Sequence, residues 1–224
     1  MKRLVLIVFI LSGGLLFGQE ESTEFRTIFG NNLNIESGGY GAPEFKFGKV
    51  NDQFALLLGG KGGWVINHRF TIGGGGYGMT TNNTFNYIED LQDIDGNPVP
   101  DSSRRLDLGM GYGGIFFEYV LNPKKAFHLT FPLFIGAGGA QLGVKSELDP
   151  SVPNYQDYTT YEYVESSGFF VLEPGMNIEL NMSKFFRLNV GASYRYISAT
   201  DLQRLSGSDL SGFSFNLGLK FGKF

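Results

Sequence analysis

Apolar and polar positions alternate with period two through most of the chain beyond residue 40. Near the end, Phe213, Phe215, Leu217, Leu219 and Phe221 fall on one face of an extended strand, and Ser214, Asn216, Gly218, Lys220 and Gly222 on the other. That rhythm marks a strand with one apolar face. It recurs over Phe186–Tyr196, Phe170–Leu180 and Phe127–Gly136, where Phe, Leu, Val, Ile and Tyr alternate with Arg, Glu, Asn, Ser, Thr and Gly. Leu106–Leu121 alternates too, but Gly113 and Gly114 blur its phase and suggest a bulge. Phe70–Met79 is glycine-dense, and Phe54–Ile66 and Pro43–Gly48 complete eight candidate strands. Pro174 lies within one of them. Because proline donates no ladder hydrogen bond, a bulge or irregular register is expected there.

The connections carry a second pattern. NHRF (Asn67–Phe70), NPKKAF (Asn122–Phe127) and NMSKFF (Asn181–Phe186) each join an Asn, a basic residue and an aromatic ring. Asn suits such turns because it tolerates left-handed backbone angles. Between them lie longer polar segments, Thr80–Arg105, Ser146–Ser166 and Ser198–Ser211, while Val50–Gln53 is short. Short turns on one side and long loops on the other are the arrangement of outer-membrane barrels. The expected fold is all-β: an eight-stranded antiparallel up-and-down transmembrane β-barrel.

Composition sharpens this picture. The 224 residues include 33 Gly, 22 Phe, 11 Tyr and no Cys. That much Gly disfavours helix, and aromatic residues favour strands. Lacking Cys, the chain has no disulfide framework, thiol nucleophile or thiolate metal site, and no lipoprotein anchor is expected. The net charge of -4 leaves no basic footprint for nucleic acid. At the start, Lys2 and Arg3 precede an apolar run from Leu4 to Phe17 and a small Gly18. This reads as a secretory signal peptide over 1–18, followed by a periplasmic segment over 19–37 and the barrel over 38–224. Export through the periplasm to the outer membrane follows.

The polar faces define a candidate interior. They carry Glu44, Lys46, Lys61, Glu173, Glu179, Arg187, Arg195 and Lys220, with Glu118 joining them if the Gly113–Gly114 bulge shifts the phase. Charges of both signs can pair, which a sealed interior requires. Trp64, Phe70, Tyr119, Phe127, Phe185, Phe186, Tyr194 and Tyr196 fall near strand ends, as interfacial girdles need.

Three stretches, GGKGGWVINHRFTIGGGGYG (Gly59–Gly78), EPGMNIELNMSKFFRL (Glu173–Leu188) and the closing LGLKFGKF, resemble small outer-membrane β-barrel proteins of Gram-negative bacteria, similar to the eight-stranded OmpA and OmpX type. The likeness covers about Gly38 to Phe224. It implies fold and location, and no activity. The final strand also resembles the signal read by the barrel-insertion machinery, although Phe224 is out of phase with Phe213–Phe221, so the strand is expected to twist or to end at Phe221.

Catalytic chemistry is sparse. His68 and His128 have no Ser or acid nearby in sequence, and Gly73–Gly76 lacks the Lys-Ser/Thr of a phosphate loop. Asp93, Asp95 and Asn97 have calcium-loop spacing, but Arg104 stands where a bidentate Glu belongs, so a plain turn is the better reading. No cofactor is expected. The segments 80–105 and 146–166 are acidic, the second also rich in Tyr, and could contact an external ligand or divalent ions. The expected function is that of a non-enzymatic, monomeric barrel in outer-membrane lipid, with a structural, envelope-stabilising or surface-interaction role. The alternatives are a narrow pore, a lipid-modifying barrel enzyme and a secreted lipocalin-like carrier.

Overall fold

The computed structural model describes residues 36–88, 103–146, 160–198 and 200–224. Residues 36–224 form one compact unit. The strands are β1 (Ser37–Val50), β2 (Gln53–Ile66), β3 (Phe70–Met79), β4 (Asn83–Ile88), β5 (Ser103–Leu121), β6 (Phe127–Ser146), β7 (Thr160–Asn181), β8 (Phe186–Ser198) and β9 (Gly212–Lys223), with a one-turn helix α1 (Gly207–Leu210) before β9. Every pairing is antiparallel. The order β3-β2-β1-β9-β8-β7-β6-β5 closes through β3–β5, and β4 also pairs with β5. β3 and β4 are thus two pieces of one strand, broken at 80–82, and the sheet is an eight-stranded closed barrel.

The turns follow from local chemistry. Asn51 and Asp52 both have positive φ (50° and 57°), as a two-residue primed hairpin requires. Asn67 and His68 repeat this (51° and 57°), and Asn122 adopts φ 58°. At the same end, Asn181 ties β7 to the neighbouring turn, its backbone N–H donating to Ala126 O (2.9 Å) and its Nδ2 to Lys125 O (2.8 Å).

Several expectations are corrected. There is no bulge at Gly113–Gly114, because β5 keeps one register against both β3 and β6 across them. Leu106, Leu108, Met110, Tyr112, Phe116, Glu118 and Val120 all point inward, so Glu118 reaches the interior by unbroken alternation. The glycines preserve the phase because a tightly curved sheet leaves no room inside: a Cβ on inward Gly136 would overlap the carbonyl oxygen of Gly113. The register shift lies instead at Leu142/Gly143, between β6 and β7. Pro174 causes no bulge either. Pairing lapses near it on both sides, between Leu133 and Thr130 and between Leu172 and Gly175, then resumes in the same register. β9 does not stop at Phe221. It runs to Lys223, and Phe224 turns inward to pack on Tyr40 with centroids 5.8 Å apart. The segments 80–105 and 146–166 are partly strand, since β4, β5 and β7 extend into them.

Outward faces are apolar. Phe127, Phe170 and Phe213 are each about two-thirds or more exposed (65, 66 and 75%), with Ile72, Ile115, Phe131, Ile178 and Phe215 between them. Ten residue steps separate Phe186 from Tyr196. At about 3.3 Å per step and a tilt of about 40°, that spans about 25 Å, the height of a membrane-barrel apolar band.

Candidate functional site

The inward faces of the strands bring all nine sequence-predicted charges into the barrel, each with no more than 8% exposure. Eight of them form an alternating series. Arg187 lies 3.7 Å from Glu179, which pairs with Lys220. Lys220 reaches Glu118 at 2.6 Å, Glu118 faces Lys61 at 3.8 Å, and Lys61 pairs with Glu44 at 3.2 Å. Tyr77 donates its hydroxyl to Glu44 (2.9 Å), and Lys46 Nζ sits 3.5 Å over the same ring. Lys46 then pairs with Glu173 at 2.7 Å. Four cations alternate with four carboxylates, so the series is balanced.

Neutral donors complete it. Tyr112 and Ser193 hydroxyls donate to Glu173 at 2.7 and 2.5 Å, and Tyr40 donates to Glu118 at 3.1 Å. His128 is buried, with Nε2 3.1 Å from Glu179 and Nδ1 3.3 Å from Lys125 O. The fold therefore gives His128 the acid partner that its sequence neighbours do not supply. With both ring nitrogens engaged, the imidazole has no free edge for a reacting group. His68 pairs with Glu36 at the short-turn end.

Arg195 is different. Although fully buried, it pairs with no carboxylate among the described residues; its Nε donates to Leu210 O (2.9 Å) and an Nη to Lys49 O (3.2 Å). It marks the boundary with a second, apolar seal. Val50, Leu57, Leu108, Leu142 and Ile197 line the long-loop end, and Leu202, Leu205 and Leu210 fold over them from the β8–β9 connection. This lid is fastened on two sides. Arg204 pairs with Glu165 of β7 at 3.1 Å, and Asn51 N–H donates to Asp209 O at 2.7 Å. The polar reading of 198–211 misses this, because its three leucines lie at irregular spacing among Ser, Gln and Asp. Gln53 closes the same rim, its amide bonding both Thr84 O (2.5 Å) and Thr84 N–H (3.2 Å).

The sequence-predicted aromatics lie at the two ends of the apolar exterior. Trp64, Phe70, Tyr119, Phe127, Phe185 and Phe186 sit toward the short turns, where Phe70 packs on Tyr119 (5.2 Å) and Phe186 on Phe221 (5.0 Å). Tyr194 and Tyr196 sit toward the long loops, Tyr194 against Phe213 at 4.8 Å. Asp93, Asp95 and Asn97 lie outside the described residues, as do the signal-peptide segment and most of the two acidic loops. Among the described residues, no cluster of three or more His, Asp or Glu side chains could hold a metal ion.

Closure, inward polar residues and an apolar exterior define an eight-stranded barrel of the outer-membrane type. No protein-family model matches the sequence, and no curated protein matches it. Solved structures do match. The Neisserial surface protein A (NspA) aligns with TM-score 0.52 at 10% identity, over 85% of this chain and 99% of that one. The attachment invasion locus protein Ail of Yersinia pestis, solved with the heparin analogue sucrose octasulfate, aligns with TM-score 0.44 at 15% identity, over 85% and 99%. The N-terminal barrel domain of Pseudomonas aeruginosa OprF gives 0.40 at 9%, over 84% and 99%. At these identities the likeness to NspA establishes a shared fold.

Proposed function

We propose that this chain is a non-enzymatic outer-membrane barrel that conducts no solute and acts through its surfaces, in a structural, envelope-stabilising or surface-contact role. The observation that carries the reading is the double seal of the interior. An eight-stranded barrel is just wide enough for side chains to fill. Here a balanced series of ion pairs fills one half and a leucine lid the other, which leaves function to the bilayer-facing belt, the loops and the two rims. The belt favours lipid over water as its surroundings, since exposed apolar area on this scale marks a membrane or protein-contact surface and the outward apolar faces of a closed barrel match the apolar band of a membrane barrel. The aromatic rows then serve as interfacial girdles, and the terminal strand as the signal for the insertion machinery.

The test is conductance in planar bilayers beside heat-dependent gel mobility. Folded protein that shifts on boiling and gives no discrete current steps is the expected result. Regular steps from the same preparation would favour the narrow pore. Recovery as a soluble periplasmic protein without a shift would favour the lipocalin-like carrier.

A further inference from the structure

The short-turn mouth holds a cavity of about 610 Å³ that the sealed interior does not use. It is lined by His68, Pro123, Lys124, Asn181, Ser183, Lys184, Arg187 and Phe224, so three separate turns converge on it. Among the described residues, no Asp or Glu side chain lines it. Lys124 and Lys184 form no ion pair among the described residues, and His68 is already paired with Glu36. At the floor, the Arg187 guanidinium stacks 3.8 Å over the Phe224 ring. Arg187 is only 8% exposed, and its Nε is buried without a hydrogen-bond partner. A buried donor left unmade costs about 1–3 kcal/mol, so one on a side chain that lines a cationic cavity invites an acceptor. Asn181 adds the complement: its Nδ2 is committed to Pro123 O and Lys125 O, which fixes the amide's orientation, and its Oδ1 is buried and unpartnered.

We propose that this cavity is a binding site for a phosphate ester, with the phosphate between Lys124, Lys184 and Arg187 Nε and a hydroxyl or ammonium of the alcohol half donating to Asn181 Oδ1. Guanidinium and ammonium groups make short, strong hydrogen bonds to phosphate oxygens. The proposal rests on the membrane reading only for the source of the ester. In such barrels the short turns face the periplasm, where the ester is either the headgroup of an inner-leaflet glycerophospholipid or a small soluble phosphate.

The folded, full-length protein in glucoside micelles is titrated with glycerol 3-phosphate and with inorganic phosphate, following the backbone amides of Lys124, Ser183 and Lys184 by NMR. Saturable shifts are expected, tighter for glycerol 3-phosphate, and weakened at least tenfold by K124Q/K184Q. R187K keeps the charge but removes Nε, and is expected to weaken binding several-fold. Native mass spectrometry with equal phosphatidylglycerol and a phosphate-free glycolipid separates the sources. Selective retention of one phosphatidylglycerol, lost in K124Q/K184Q, assigns the lipid headgroup; soluble binding with unaltered lipid retention assigns a free ester. No saturable shift and no selective retention, in protein whose β circular dichroism is intact, overturns the site. Absence of heat-dependent mobility counts against the membrane reading instead, and the soluble titration still decides the cavity.

Discussion

Between Arg187 and Glu173 the barrel is filled by alternating charges, whereas beyond Arg195 it is filled by Val50, Leu57, Leu142 and the three leucines of the lid. Both halves are buried, but they depend on their members differently. An apolar cluster is a sum of many weak contacts, so loss of one side chain costs its transfer energy plus a cavity. An ionic series is bound by mutual need, and loss of one member leaves a neighbour charged and buried without compensation. The same fold thus carries one seal that degrades gradually and one that fails by steps.

The sharpest way to break the comparison is Lys220→Met, which leaves Glu118 and Glu179 facing each other without their shared cation. A loss of about 3–5 kcal/mol is expected in urea unfolding from micelles, and a loss below 1 kcal/mol would dissolve the distinction. Lys46→Met should cost about 3 kcal/mol, and K46M/E173Q should recover much of it, because the second change removes the orphaned carboxylate. In the lid, Leu210→Ala should cost about 2–3 kcal/mol, and pairing it with Leu205→Ala should only deepen the loss. Glycines sharpen the contrast between faces. Gly136→Ala should prevent heat-resistant folding, whereas outward Gly139, whose added Cβ would have ordinary contact with Ser167 O at 3.6 Å, should accept Ala with a change of about 0.5 kcal/mol or less. The smallest effect belongs to Glu165→Gln, which loosens a partly exposed tie to Arg204. Stability should fall by under about 1 kcal/mol, while amide exchange in 200–211 quickens.

Period two made the strand faces readable in advance, because each strand reports its own inside and outside. Glu118 shows the limit. Its inward position was predicted through a bulge that does not exist, since two glycines carry no polarity and so hide an unbroken phase. Pairing was less readable still: Lys46 meets Glu173 across 127 positions, and His128 meets Glu179 across 51. Which charges meet depends on the stagger between strands, and no single strand encodes that. The lid was hidden for a related reason, since its segment leaves the alternation, whereas Phe224 simply falls on the inward row with Lys220 and Gly222.

The ion pairs also carry information about assembly. Lys220 on β9 joins Glu118 on β5 and Glu179 on β7, and Lys46 on β1 joins Glu173 on β7, so each contact crosses the lumen between strands that are not neighbours. Backbone hydrogen bonds would accept a sheet slipped by two residues, because the faces would still match. The charges would not: with β1 slipped by two, Glu44 would stand where Lys46 meets Glu173, and slips of β5 or β9 would replace Glu118 or Lys220 by an uncharged residue. The balanced series therefore favours the correctly staggered cylinder, in which each of its eight ions meets an opposite charge.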